Sequence, residues 1–306
     1  MMGLKQLART VLKRPGAAYG ANPVSFASAE RLEKAESFIE RFREIVSDPL
    51  NLLIERVPEA GYVGADNRVV LHNGNRANIR GELAYYEEFS DILIINRGVH
   101  EPVEEYCFQQ MLTRIDGASP LMIELGAYWA HYSMWFQLRH PGARCVLIEP
   151  DAANLRAGQA NFAHNGFAGE FIQQGVGPSG FELDRFVDQR GLTRIDVLHS
   201  DIQGYEDQLL AQGGKSLAAH VAKYVFISTH SEVLHDEIER GLRGHGYRIE
   251  ASSGFDLHTT SYDGFIMASS PDVAAVFDAF APMGRLDIAR SSAAERLAAV
   301  RAIAKA

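Results

Sequence analysis

Cysteine is scarce: Cys107 and Cys145 are the only two in 306 residues. They are too few for a disulfide framework and sit in apolar segments where buried thiols are common, so a reducing compartment is expected. Positive charge is also in deficit. With 30 Lys and Arg against 39 Asp and Glu, the formal charge is −9, which repels a phosphate backbone and sets nucleic acid aside as a partner. No run approaches the roughly 18 consecutive apolar residues of a membrane span, and no apolar stretch with a cleavage site follows Met1. A cytoplasmic protein with no transmembrane segment is the expectation. Internal repeats and low-complexity linkers are absent as well. What remains is ordinary globular material, 46% hydrophobic and 23% charged, which excludes disordered and fibrous classes. The length fits one or two domains.

Four regions follow from the pattern. Residues 1–27 carry Lys5, Arg9, Lys13 and Arg14 without a sustained apolar period, and read as a loosely ordered basic arm or, alternatively, a membrane-surface helix. Residues 28–115 form a small α+β cap. In it Leu32, Ala35, Phe38, Ile39, Phe42 and Val46 recur at helical spacing. Val69 to Leu71 and Ile92 to Ile95 are β-like, with a turn at His72 to Asn75, and Pro102 opens a helix reaching Ile115. From residue 116 to 272, short apolar runs alternate with helical patterns: Leu121 to Leu125, Cys145 to Ile148, Phe171 to Gln173, Ile195 to Leu198, Tyr224 to Ile227 and Phe265 to Met267. Continuous apolar strands separated by helices signal a doubly wound, mostly parallel α/β sheet covered on both faces, with the last strand a candidate for antiparallel pairing. Residues 273–306 form a helical extension, with Leu297, Val300 and Ile303 on one side of its final helix.

Chemistry concentrates where strands end. In M-I-E-L-G-A-Y-W-A-H-Y-S the first strand passes Glu124, turns at Gly126 and enters a helix, which is where doubly wound folds bind ligands. Only one glycine of the dinucleotide fingerprint is present, so a pyrophosphate is disfavoured. A carboxylate at Glu124 would favour a cationic ligand instead, such as a sulfonium or an amino group. Glu149 ends the next strand 23 residues after Gly126, the usual place for an acid that accepts from both ribose hydroxyls. The bland alternative is that Glu149 and Asp151 only cap the following helix. His199, Ser200, Asp201, Gln203 and Glu206 cluster at the end of the fourth strand, and His230 follows the fifth. Burying such groups is costly without a task, so both clusters read as site lining. His235, on the next helix, reads as structural.

Together these segments resemble the FkbM-type S-adenosylmethionine-dependent methyltransferases, a class I Rossmann-like family. Its first motif, roughly D-x-G-A-x-x-G-x-x-S/T, is similar to Glu124, Gly126, Ala127 and Ser133. Its acid-proline pair and N-x-x-x-N-G helix end resemble Glu149, Pro150, Asn161, Asn165 and Gly166. Its fourth-strand motif resembles Ile195, Asp196, Asp201, Gly204 and Glu206, and its S-T-H string resembles His230, with His235, Leu242, Gly246 and Tyr247 following. The likeness covers about residues 92–268. Three positions depart from it: Ala130 where a glycine is usual, His199 where a lysine is common, and Gln203 where a glutamate is common. The resemblance implies a seven-stranded Rossmann-like methyltransferase sheet, S-adenosyl-L-methionine as cofactor, and O-methylation, often of a sugar or polyketide hydroxyl.

On that reading Glu124 and Gly126 attend the methionine end and Glu149 the ribose, with Ala127, Tyr128, Ser133, Pro150 and Asp201 also binding the cofactor. Asp201, His199 and His230 face the acceptor hydroxyl, whose proton must leave as the bond forms. Either His230 or His199 is the base, or Asp201 and His230 hold a divalent cation that lowers the hydroxyl's pKa. The lack of a tight motif such as H-E-x-x-H weighs towards the base. The acceptor is expected to be a small-molecule hydroxyl, carbohydrate first; Tyr62, His72, Asn75, Tyr85 and Tyr86 either receive it or only pack the cap. The rivals are a non-catalytic ligand-binding or assembly module and, disfavoured by Glu124 and the missing glycines, a nicotinamide dehydrogenase.

Overall fold

The computed structural model describes residues 38–85 and 89–305. The basic arm, the first part of the helix expected from Ser28, and Tyr86 lie outside them. Helix α1 (Phe38–Ser47) runs into a 3-10 turn (Pro49–Leu52), followed by a two-stranded antiparallel ribbon of β1 (Arg68–Val70) and β2 (Arg76–Asn78), α2 (Asp91–Ile95) and α3 (Pro102–Leu112). Then come β3 (Leu121–Leu125), α4 (His131–Arg139), β4 (Arg144–Ile148), α5 (Ala152–His164), β5 (Glu170–Ile172), α6 (Leu183–Arg190) and β6 (Ile195–Ser200). The chain continues through α7 (Glu206–Ala218), β7 (Ala222–Thr229), α8 (Glu232–Gly244), β8 (Arg248–Ser253), β9 (Gly264–Ser269), α9 (Arg285–Arg290) and α10 (Ala293–Ile303).

The seven strands β3 to β9 form one sheet in the order β5-β4-β3-β6-β7-β9-β8, parallel except that β9 runs against both neighbours. This is the expected doubly wound Rossmann-like methyltransferase sheet. Strand order reverses between β3 and β6, so their carboxyl ends flank the crevice where such folds place ligands. Because side chains alternate across a strand, Met122, Val197, Phe226 and Met267 join one core, and Ile123, Leu125, Leu198 and Ile227 the other. The first core also holds Ile45, Leu71, Leu93, Phe108 and Met111, so the segment before β3 is a layer on that face of the sheet. The second is closed by α6, α7 and α8 through Leu183, Leu209, Leu217 and Ile238. Glu124 and His199 are paired in the β3/β6 register and lie two residues beyond Met122 and Val197, on the face that α3 covers.

Two expectations need correction. Ile92 to Ile95 is not a strand but the short helix α2: Ile92 and Leu93 are buried, Ile95 is exposed, and Gly98 turns the chain just beyond. A four-residue apolar run carries no period long enough to separate the two forms. In the last helix Val300 is buried, while Leu297 is largely exposed. Strand β8 escapes an apolar-run criterion because R-I-E-A-S-S alternates and sits at the sheet edge. Among the described residues no helix is long and apolar enough to cross a membrane.

Candidate active site

The β3–α4 turn is shaped by close backbone approach. Gly126 has φ +73°, and a Cβ there would stand 1.6 Å from the Asp201 carbonyl oxygen, so only glycine lets the β3 and β6 ends meet. Its N–H and that of Ala127 donate to the Ile148 carbonyl at 2.8 and 3.0 Å. Tyr128 and Ala130 are left-handed as well, at φ +37° and +65°. Ala130 thus occupies a conformation that suits glycine, and the turn packs closely on Gly158 of α5, where a Cβ would be 2.5 Å from the Tyr128 carbonyl oxygen. The departure noted in the sequence therefore leaves a left-handed alanine, a backbone strain that glycine would not carry.

Two carboxylates hang from this frame. Glu124 accepts the Ser133 N–H at 3.2 Å, and burial raises its pKa. Glu149 accepts the Tyr128 N–H at 3.1 Å through one oxygen and the Asp151 N–H at 3.0 Å through the other. Burial raises the Glu149 pKa too. The capping task falls to Asp151, which accepts from the Ala153 and Asn154 amides at 2.7 and 2.9 Å. Glu149 Oε1 also receives the Asn154 side-chain amide at 3.5 Å, so Oε2, with the Tyr128 N–H as its one donor, is the freer acceptor of the two. Gly126, Ala127, Tyr128, Pro150, Asp201 and His199 join Glu124 and Glu149 around a single cavity of about 1080 Å³. Ser133 is fully buried and not on the cavity wall, which it meets only through Glu124.

On the other side of the crevice His199 is 3% exposed and its Nε2 lies 2.6 Å from Glu104 Oε1 on α3. Glu104 also accepts from the Ser228 hydroxyl at 3.1 Å. Burial pushes Glu104 up to about 7. For His199 burial opposes the charge, but the Glu104 hydrogen bond and the negative charges of Glu104, Glu124 and Asp201 outweigh it and raise its pKa. With Glu104 ionised it only accepts, so in that state Nε2 carries the proton and Nδ1, which has no partner, is left as the acceptor. The Tyr132 ring lies against the imidazole at 4.3 Å between centroids.

His230 stands behind the cavity wall. Its Nδ1–H donates to buried Glu206 at 2.7 Å, and Nε2 is 3.3 Å from Asp201 and 3.4 Å from Asp263. Burial works against its charge, yet these carboxylates raise its pKa to about 10. Asp201, with Gln203 donating to it at 2.9 Å, is held below its ordinary value: burial opposes the charge, and His230 and Gln203 override it. Asp201, His230 and Asp263 together offer ligand atoms within 4.8 Å of one another. His235 is satisfied on both nitrogens, by Thr229 and Ser252, each at 2.9 Å, as befits a structural histidine.

Of the cap residues singled out in the sequence, Tyr85 lines the cavity, Tyr62 is exposed, and His72 and Asn75 are buried away from it. Tyr128 and Trp129 each line the cavity and pack on Tyr85. Glu104, Glu101, His100, Tyr132 and Asp263 were not singled out. The nearest signal was the pair of adjacent acids Glu104 and Glu105 in a helix that also carries Gln109 and Gln110, and that pattern does not by itself say that the acids are buried.

The strand order and the carboxylates at its switch point define the class: a Rossmann-like methyltransferase fold. The FkbM methyltransferase domain matches residues 35–249, so the chain belongs to that family of S-adenosylmethionine-dependent methyltransferases. No curated protein matches it. Among solved structures it is similar to M. capricolum TrmK in complex with S-adenosyl-homocysteine, at 15% identity and TM-score 0.39, over 54% of this chain and 68% of that one. It is also similar to the ribosomal protein L11 methylase of Lactobacillus delbrueckii subsp. bulgaricus, at 13% identity and TM-score 0.40, over 55% and 79%. A third is the precorrin-6y C5,15-methyltransferase of Geobacter metallireducens, at 13% and 0.38, over 53% and 87%.

Proposed function

We propose that this chain transfers a methyl group from S-adenosylmethionine to a hydroxyl of an uncharged, polar small molecule, a carbohydrate first. The observation that carries the reading is that Glu149, at the end of β4, and the Glu104-held imidazole of His199, at the end of β6, face one cavity. At about 1080 Å³ that cavity exceeds the roughly 300–1,000 Å³ that holds one small ligand, leaving room for a cofactor and an acceptor. The donor set fits the cofactor: Glu149 accepts from ribose hydroxyls, Glu124 and Asp201 favour cationic sulfonium and amino groups, and Ile148, Val176 and Ile202 offer apolar walls. Bound there, the cofactor supplies a methyl group on a positively charged sulfur.

His199 takes the acceptor's proton, and Glu104 orients the ring and steadies the imidazolium that results. His230, kept charged by Glu206, Asp201 and Asp263, is a positioning residue for Asp201 in place of a base. Its own positive charge balances carboxylates that would otherwise draw a divalent cation, so the general-base route is preferred here. Tyr85, Tyr128 and Tyr205 give the flat apolar faces that sugars bind, while Tyr262 carries Arg41 over its ring at 3.5 Å, a cation beside the lining acids. Incubating the protein with radiolabelled S-adenosylmethionine and a panel of sugars and phenolic or polyketide alcohols tests the proposal. Label in an ether product, lost in His199→Ala, supports it; label only on nitrogen, or in RNA or protein, overturns the acceptor class.

A further inference from the structure

Beneath the cavity lies a second cluster that the proposed reaction does not use. His72, in the turn between β1 and β2, Glu105 on α3, and His131, the first residue of α4, are 0%, 0% and 1% exposed. One ligand atom from each lies within 4.8 Å of the other two. His72 Nδ1 is 3.3 Å from the Glu55 carbonyl oxygen, which can only accept, so Nδ1 carries the proton and Nε2 of the neutral ring is a bare lone pair. That lone pair sits 3.1 Å from Glu105 Oε2. Two acceptors face each other there, and neither atom has a hydrogen-bond partner.

The remaining atoms fit the same picture. Glu105 Oε1 is occupied, accepting the His100 N–H at 2.8 Å and the Glu101 N–H at 3.2 Å, with the His100 ring at 2.6 Å as an ion-pair neighbour. Both ring nitrogens of His131 lack a partner, although the ring is buried and stacked on Trp129 at 4.8 Å. Leaving a buried polar atom unpaired is unfavourable, and this cluster holds several at one point. We propose that His72, Glu105 and His131 bind one divalent transition-metal ion of the zinc class. The 3.1 Å between Nε2 and Oε2 is compatible with two atoms each about 2 Å from a shared ion. The backbone carbonyl on His72 and the two backbone N–H donors on Glu105 Oε1 are the outer partners that fix the tautomer and orientation of metal ligands. Two imidazoles and a carboxylate suit zinc or cobalt better than calcium or magnesium, which prefer oxygen. His131 lines the large cavity and His72 a second, smaller one, so the ion ties the layer before β3 to the helix that follows the cofactor turn.

Metal content per chain is measured on the protein as purified, and chelator-treated protein is titrated with Co²⁺ alone. One equivalent is expected, with visible ligand-field absorption, lost in His72→Gln and kept in Asp263→Asn. Loss in Asp263→Asn with retention in His72→Gln would move the ion to the Asp201 cluster and overturn the proposal. So would a folded wild type that carries and takes up no metal. Should His72→Gln not fold, X-ray absorption on the zinc-loaded wild type decides: two imidazoles per ion supports the site, and one, the number the Asp201 cluster can give, contradicts it.

Discussion

The two walls of the cavity are held in place by different means. On the β3–β4 side each carboxylate is fixed by main-chain N–H groups: Ser133 on Glu124, Tyr128 and Asp151 on Glu149. On the β6–β7 side the imidazoles are fixed by other ionisable side chains, Glu104 on His199 and three carboxylates on His230. Backbone donors do not titrate and are supplied by the fold, so the first wall suits recognition of a constant cofactor. Groups that set one another's proton affinity suit chemistry. Substitutions should therefore separate binding from turnover according to the wall they touch.

The largest effect is expected on the second wall. His199→Ala should lower turnover by about 10²–10⁴-fold, the usual contribution of a general base, with cofactor affinity unchanged; equal losses in both would erase the distinction. Next, Glu149→Ala should weaken S-adenosylmethionine binding by about 10- to 100-fold or more, since hydrogen bonds to a charged group contribute roughly 1.5–3 kcal/mol each. Calorimetry on the folded variant checks it.

The pH response should also belong to one wall only. His199 must be neutral to accept a proton, and its folded pKa is raised above 6.5 by Glu104, Glu124 and Asp201. Activity should therefore rise with pH through a midpoint above 6.5. Glu104→Gln removes one of those charges, so it should move the midpoint down while lowering the plateau. A profile that does not move in that variant would detach Glu104 from the reaction. The smallest effect concerns the turn itself. Ala130→Gly relieves a left-handed alanine, worth about 1 kcal/mol, and should raise the melting temperature slightly without changing turnover; a destabilised variant would mean that the contact with Gly158 matters more than the strain.

Much of the first wall was legible because its parts are near in sequence: Glu124 and Gly126 adjoin, and Glu149 meets Tyr128 only 21 residues away. The second wall was legible by halves. His199, Asp201 and His230 announce themselves as polar residues ending apolar strands. Glu104 reaches His199 across 95 residues, and nothing in the period of P-V-E-E-Y-C-F-Q-Q-M-L says that two adjacent acids are buried until α3 is laid on the sheet. Asp263 depends likewise on where β9 runs. The misread α2 and the unseen β8 share one cause: short segments whose state is chosen by neighbours, not by their own pattern.

The most direct measurement is a calorimetric titration of the wild type, Glu149→Ala and His199→Ala with S-adenosylmethionine. Binding by the wild type and His199→Ala, with sharp weakening in Glu149→Ala, is the predicted result. Equal binding by all three folded proteins, or none by the wild type, would contradict the assignment of the cofactor to the β3–β4 wall.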